Sequence, residues 1–170
     1  MQQYSLLAKI RISKENFKQF LKEKPTVPSI KDGWENWWGN AEMYDKEDFR
    51  EKNLHSYEAK SNKEIIDYWI KQSEIFPFSD YDEKNEIWHF GMLLFSGNYE
   101  EFIPMLAFIR SVEIFKENDN KDFIVIYDYY WSYDNAYHFM AFLKFQKQKS
   151  IFFLEPDDKS LRYAMKYLDA

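Results

Sequence analysis

Residues 87–95 (IWHFGMLLF) are almost unbroken in apolar side chains. Alternate residues of a strand point to opposite faces, so a run of this kind reads as a strand covered on both sides. A chain built around it must place structure above and below a sheet. Two later segments extend the argument. Residues 123–130 are β-branched at their start and aromatic at their end, and residues 137–145 follow across a turn at 132–135. Lys147, Gln148 and Lys149 then turn the chain into a short apolar run at 151–154.

The remaining elements are set by their stop and start signals. Residues 3–12 alternate well enough for a strand, with Leu7 and Ile10 among the apolar positions. Ser13 is placed to cap a helix carrying Phe17, Phe20 and Leu21 on one face, which Pro25 and Pro28 end. No period holds from residue 31 to 60, although the almost wholly charged stretch 45–52 suits a short exposed helix. Ser61 and Glu64 form a capping-box pattern ahead of Ile65, Ile66, Trp69 and Ile70. Pro77 stops that helix, and residues 79–86 read as an acidic loop. Asn98 and Glu101 repeat the capping pattern before a helix to about Phe115, where Pro104 bends the first turns or delays the start. Pro156 and Asp157 open a last helix, with Leu161, Ala164, Met165 and Leu168 spaced for one buried face. The order β-α-loop-α-β-α-β-β-β-α gives an α+β fold. We expect one domain over residues 1–170, a mostly antiparallel sheet of about five strands, and helices packed mainly on one face.

Composition narrows the function. The chain has 170 residues, 21% of them aromatic, and no cysteine, which excludes disulfides, thiolate zinc sites and cysteine nucleophiles. Residues 1–12 lack the features of a signal peptide, and no run approaches the ~18 apolar residues of a membrane span. These features point to a soluble, cytoplasmic protein with no membrane partner. The net charge of −6 disfavours nucleic acid. Between Asp32 and Glu86 there are 15 acids and 7 bases, so the excess negative charge is confined to that part of the chain.

Motifs of catalysis are missing. His55, His89 and His138 show neither the HExxH pattern nor zinc-finger spacing, and a structural role suits each. Ser96 lacks the glycine-flanked setting of a serine nucleophile and suits turn chemistry before a helix. Four scattered glycines cannot cradle a phosphate. The reading is a non-enzyme without metal or cofactor.

Two surfaces remain as candidates. Residues 32–39 (DGWENWWG) hold three Trp in five positions, which suit an apolar plug on a sheet or the anchors of a recognition surface. Acids near them raise encounter rates with a basic partner. On this reading Trp34, Trp37 and Trp38 anchor a partner that Glu42, Asp45, Glu47, Asp48 and Glu51 steer. The alternative is a carbohydrate- or small-ligand-binding module, or a weak hydrolase, using Asp128, Tyr130, Trp131, Tyr133 and Asp134. Paired carboxylates beside aromatic platforms are the ingredients of sugar chemistry. A homo-oligomer that buries its aromatics between subunits is a third reading.

With its compact, cysteine-free, acidic α+β character and its Trp-rich turn at 32–39, the chain resembles the immunity proteins that bacteria carry beside secreted or contact-delivered toxins. The resemblance implies a cytoplasmic protein that binds one cognate toxin domain, often a nuclease, and blocks its active site or exposed surface. Phage-encoded inhibitors of host defences share this profile.

Overall fold

The computed structural model describes residues 3–40, 47–117, 119–129, 138–146 and 148–169. Its strands are β1 (Tyr4–Arg11), β2 (Pro77–Asp82), β3 (Ile87–Ser96), β4 (Phe123–Tyr127), β5 (Phe139–Gln146) and β6 (Lys149–Phe152). They form one six-stranded sheet in the order β2-β3-β1-β4-β5-β6, antiparallel at every junction. The first strand of the chain therefore lies inside the sheet, and Leu6, Leu7, Ala8 and Ile10 are wholly buried.

The helices are α1 (Lys14–Lys22), α2 (Trp34–Asn40), α3 (Asn62–Ile70), α4 (Tyr99–Arg110) and α5 (Asp158–Asp169). Alternation along β1 separates two cores. Leu6, Ala8 and Ile10 join Phe20 of α1, the three Trp of α2, Ile65 and Ile66 of α3, and the buried length of α4. Leu7 faces the other way, with Phe123, Val125, Tyr127 and Phe142, under Ala164 and Leu168 of α5. Among the described residues, four helices thus cover one face and α5 alone covers the other.

The caps form where the sequence places them. Ser13 accepts from the Asn16 N–H, Ser61 from the Glu64 N–H and Asn98 from the Glu100 N–H. Ser96 Oγ accepts from the Asn98 N–H, as turn chemistry requires. Pro104 lies inside α4 without delaying its start.

Three expectations are corrected. Residues 79–86 are not a loop: β2 and its turn form a hairpin with β3, which makes the strands six. Tyr81 stacks on Phe17 at 5.0 Å and donates to the Ile12 carbonyl, and Ser79 accepts from Trp88 Nε1. Asp80 and Asp82 stay exposed on the strand because β2 is a sheet edge, where charge is tolerated. Residues 31–60 are not wholly irregular, since α2 lies within them. Of the charged stretch 45–52, residues 47–50 are irregular and only Glu51–Asn53 forms a 3-10 turn.

Candidate protein-interaction surface

The spacing of Trp34, Trp37 and Trp38 places all three indoles on one side of α2. Their exposures are 1%, 6% and 4%, so they are core and present no anchoring surface, contrary to the recognition reading. The plug is closely built. Trp37 stacks on Phe152 at 5.4 Å and donates Nε1 to the Met140 carbonyl at 2.8 Å. The Arg110 guanidinium lies over Trp34 and Phe152, with centroids 5.0 and 4.7 Å away. Burial lowers the pKa of that guanidinium, with Glu113 and Asp32 opposing.

Trp38 has a second task. Its Nε1 donates to the Glu47 carbonyl at 2.8 Å, and its ring lies 5.3 Å from Phe49 and 4.9 Å from Tyr99. These contacts fasten the start of an otherwise irregular segment to the core. The Arg50 N–H donates to Asn53 Oδ1 at 2.8 Å, and Leu54 is buried. Between these tethers Glu47, Asp48 and Glu51 are exposed, and none of them has an ion-pair partner among the described residues. Arg50 and Lys52, also exposed, interleave with them. Glu42 and Asp45 lie outside the described residues.

The segment borders an open cleft of about 420 Å³ between α3 and the start of α4. Tyr57 and Trp69 form its aromatic wall, 6.2 Å apart at 60°, Glu100 and Glu101 supply carboxylates, and Lys52, of opposite charge, lines the same rim with His55. Burial, reinforced by Glu101, raises the Tyr57 phenol pKa, which keeps it a neutral hydroxyl. Crossed aromatic faces beside carboxylates suit a cationic side chain. Sequence reasoning missed this cleft, because Tyr57 lies in an irregular segment, Trp69 in α3 and Glu101 in α4, and the three share no spacing.

The three histidines sit in separate settings. His55 is exposed, its Nδ1 lying 2.9 Å from the Asn53 carbonyl. His138 is also exposed, with Nδ1 3.4 Å from the Tyr4 hydroxyl. His89 is 8% exposed, stacks on Tyr167 at 4.0 Å, and has Nε2 2.6 Å from the Tyr163 hydroxyl. Desolvation, then the charge of Lys9, pushes the His89 pKa down to about 4. Next to it lies a buried ionic knot, with Asp122 Oδ2 2.9 Å from Lys116 Nζ and Oδ1 3.7 Å from Lys9 Nζ. Asp122 also accepts from the Arg11 N–H at 2.8 Å, fastening β1 to the approach of β4. Among the described residues no three His, Cys, Asp or Glu gather as a metal site.

Of the alternative set, only Asp128 is described; Tyr130, Trp131, Tyr133 and Asp134 lie outside. Asp128 is buried, and its carboxylate accepts from the His138 N–H at 2.7 Å, closing the chain between β4 and β5. No helix among the described residues is long and apolar enough to cross a membrane. Comparison with protein families, curated proteins and solved structures finds no match for the chain.

Proposed function

We propose that this chain is an inhibitory binding protein of the immunity type, acting in the cytoplasm on a basic protein partner such as a toxin domain. The observation that carries the reading is the Trp38–Glu47 tether, which displays the exposed carboxylates of Glu47, Asp48 and Glu51 in a held segment. Glu100, Glu101, Tyr57 and Trp69 continue that surface into a cleft suited to a Lys or Arg side chain. In this reading the carboxylates steer the partner, the cleft takes one cationic side chain, and the buried Trp supply rigidity.

The test is capture from lysate of the source cells at low and high salt, comparing the unaltered chain with a Glu47→Lys, Asp48→Lys, Glu51→Lys variant. One stoichiometric basic protein, weakened both by salt and by the substitutions, is the expected result. Capture that is indifferent to both overturns the reading.

A further inference from the structure

The two edges of the sheet differ in how their backbone is used. At β6, the Phe153 N–H donates to the Phe142 carbonyl, so the alternate residue Ser150 turns its backbone outward. Both of its groups are taken. The Ser150 N–H donates to Glu113 Oε2 at 2.7 Å, and the Ser150 carbonyl accepts from Arg110 at 3.1 Å.

No such closure exists at β2 among the described residues. The Ile12 N–H donates to the Glu86 carbonyl and the Leu93 N–H to the Phe76 carbonyl, which sets the phase of the ladder. Within β2, Phe78, Asp80 and Asp82 turn their backbone towards β3, while Ser79 and Tyr81 direct theirs away from the sheet. Pro77 sits at the strand start and adds no donor. Phe76, 55% exposed, offers an apolar landing beside the edge. Asp80 and Asp82 are exposed along its α5 side.

We infer that the free edge of β2 is the docking strand for an extended segment of a protein partner that carries Lys or Arg at alternate positions. A strand added there receives hydrogen bonds from the Ser79 and Tyr81 backbones. Its alternate side chains fall on the face of Asp80 and Asp82, where cations are matched. A second copy of this chain is the poorer occupant, because pairing β2 with β2 sets Asp80 and Asp82 against their own kind. The inference rests on the reading of the chain as a binder of a basic protein, and it names where part of that partner lies.

The experiment is residue-resolved amide exchange of the unaltered chain, with a peptide of alternating lysine and valine in excess. A glutamate–valine peptide is the control. The Ser79 and Tyr81 amides slow at least about tenfold with the lysine peptide, equivalent to about 1.4 kcal/mol, and stay unchanged with the control. Unchanged rates with the lysine peptide overturn the inference. So does protection that grows with protein concentration alone, which assigns the edge to self-association. A Ser79→Pro variant removes the outward N–H without removing a ladder bond. If that variant still captures a basic partner as well as the unaltered chain does, the edge assignment fails while the binding function stands.

Discussion

Trp38 Nε1 and the Glu47 carbonyl, 2.8 Å apart, join a residue of the core to the acidic surface. Trp38→Phe keeps an aromatic ring against Phe49 and Tyr99 but removes the donor. We expect a loss of about 1–2 kcal/mol in urea unfolding, with amide exchange faster chiefly across residues 47–54. Unchanged exchange in that segment would show that the tether does not hold it.

The same residue shows what was legible in the sequence. Trp34, Trp37 and Trp38 already have the spacing of one helix face. Flanking Gly33 and Gly39, with no period around them, hid the short helix and left burial undecided. Capping residues were legible because a cap is a local hydrogen bond, as at Ser13, Ser61 and Asn98. β2 was not. Asp80 and Asp82 carry the composition of a loop, and only their position on an edge strand makes those charges tolerable. The interaction surface was half legible. The acids at 47–51 stand out in the sequence, whereas the Tyr57–Trp69 wall forms only when the irregular segment before α3 folds back against that helix.

His89 gives a pH signature. Its pKa is depressed to about 4 in the fold, against about 6.5 when unfolded. Below about pH 6.5 the unfolded chain takes up this proton and the folded chain does not, so stability falls as pH drops towards 4. The charged groups facing the ring are Lys9, Asp80 and Asp82, and Lys9 sets the sign with desolvation. Between about pH 7 and pH 5 the loss is on the order of 2 kcal/mol. His89→Gln flattens unfolding free energy across that range. An equal slope in the variant would remove His89 as the cause.

Gly91 allows β1, β3 and β2 to approach under α5. A Cβ there would lie 2.0 Å from the Leu6 carbonyl oxygen and 2.9 Å from Phe78 Cζ. The first contact is backbone inside the sheet and cannot swing aside. Gly91→Ala is expected to cost about 3 kcal/mol or more, read as a lowered denaturation midpoint or as failure to accumulate folded protein. A loss below about 1 kcal/mol would mean that β1 and β3 can separate locally.

Glu113 guards the other edge of the sheet. Its Oε2 accepts from both the N–H and the Oγ–H of Ser150, each at 2.7 Å. Glu113→Ala frees the outward N–H of β6, next to the exposed apolar side chains of Ile151, Phe153 and Leu154. An unpaired strand edge with apolar flanks recruits a second strand. Sedimentation velocity should therefore show stronger concentration-dependent association in the variant than in the unaltered chain. Adding Ser150→Pro, which removes the freed donor again, should return association to the level of the unaltered chain. If Glu113→Ala associates no more than the unaltered chain at every concentration, the Arg110 contact with the Ser150 carbonyl is enough to close the edge, and Arg110→Met becomes the substitution that opens it.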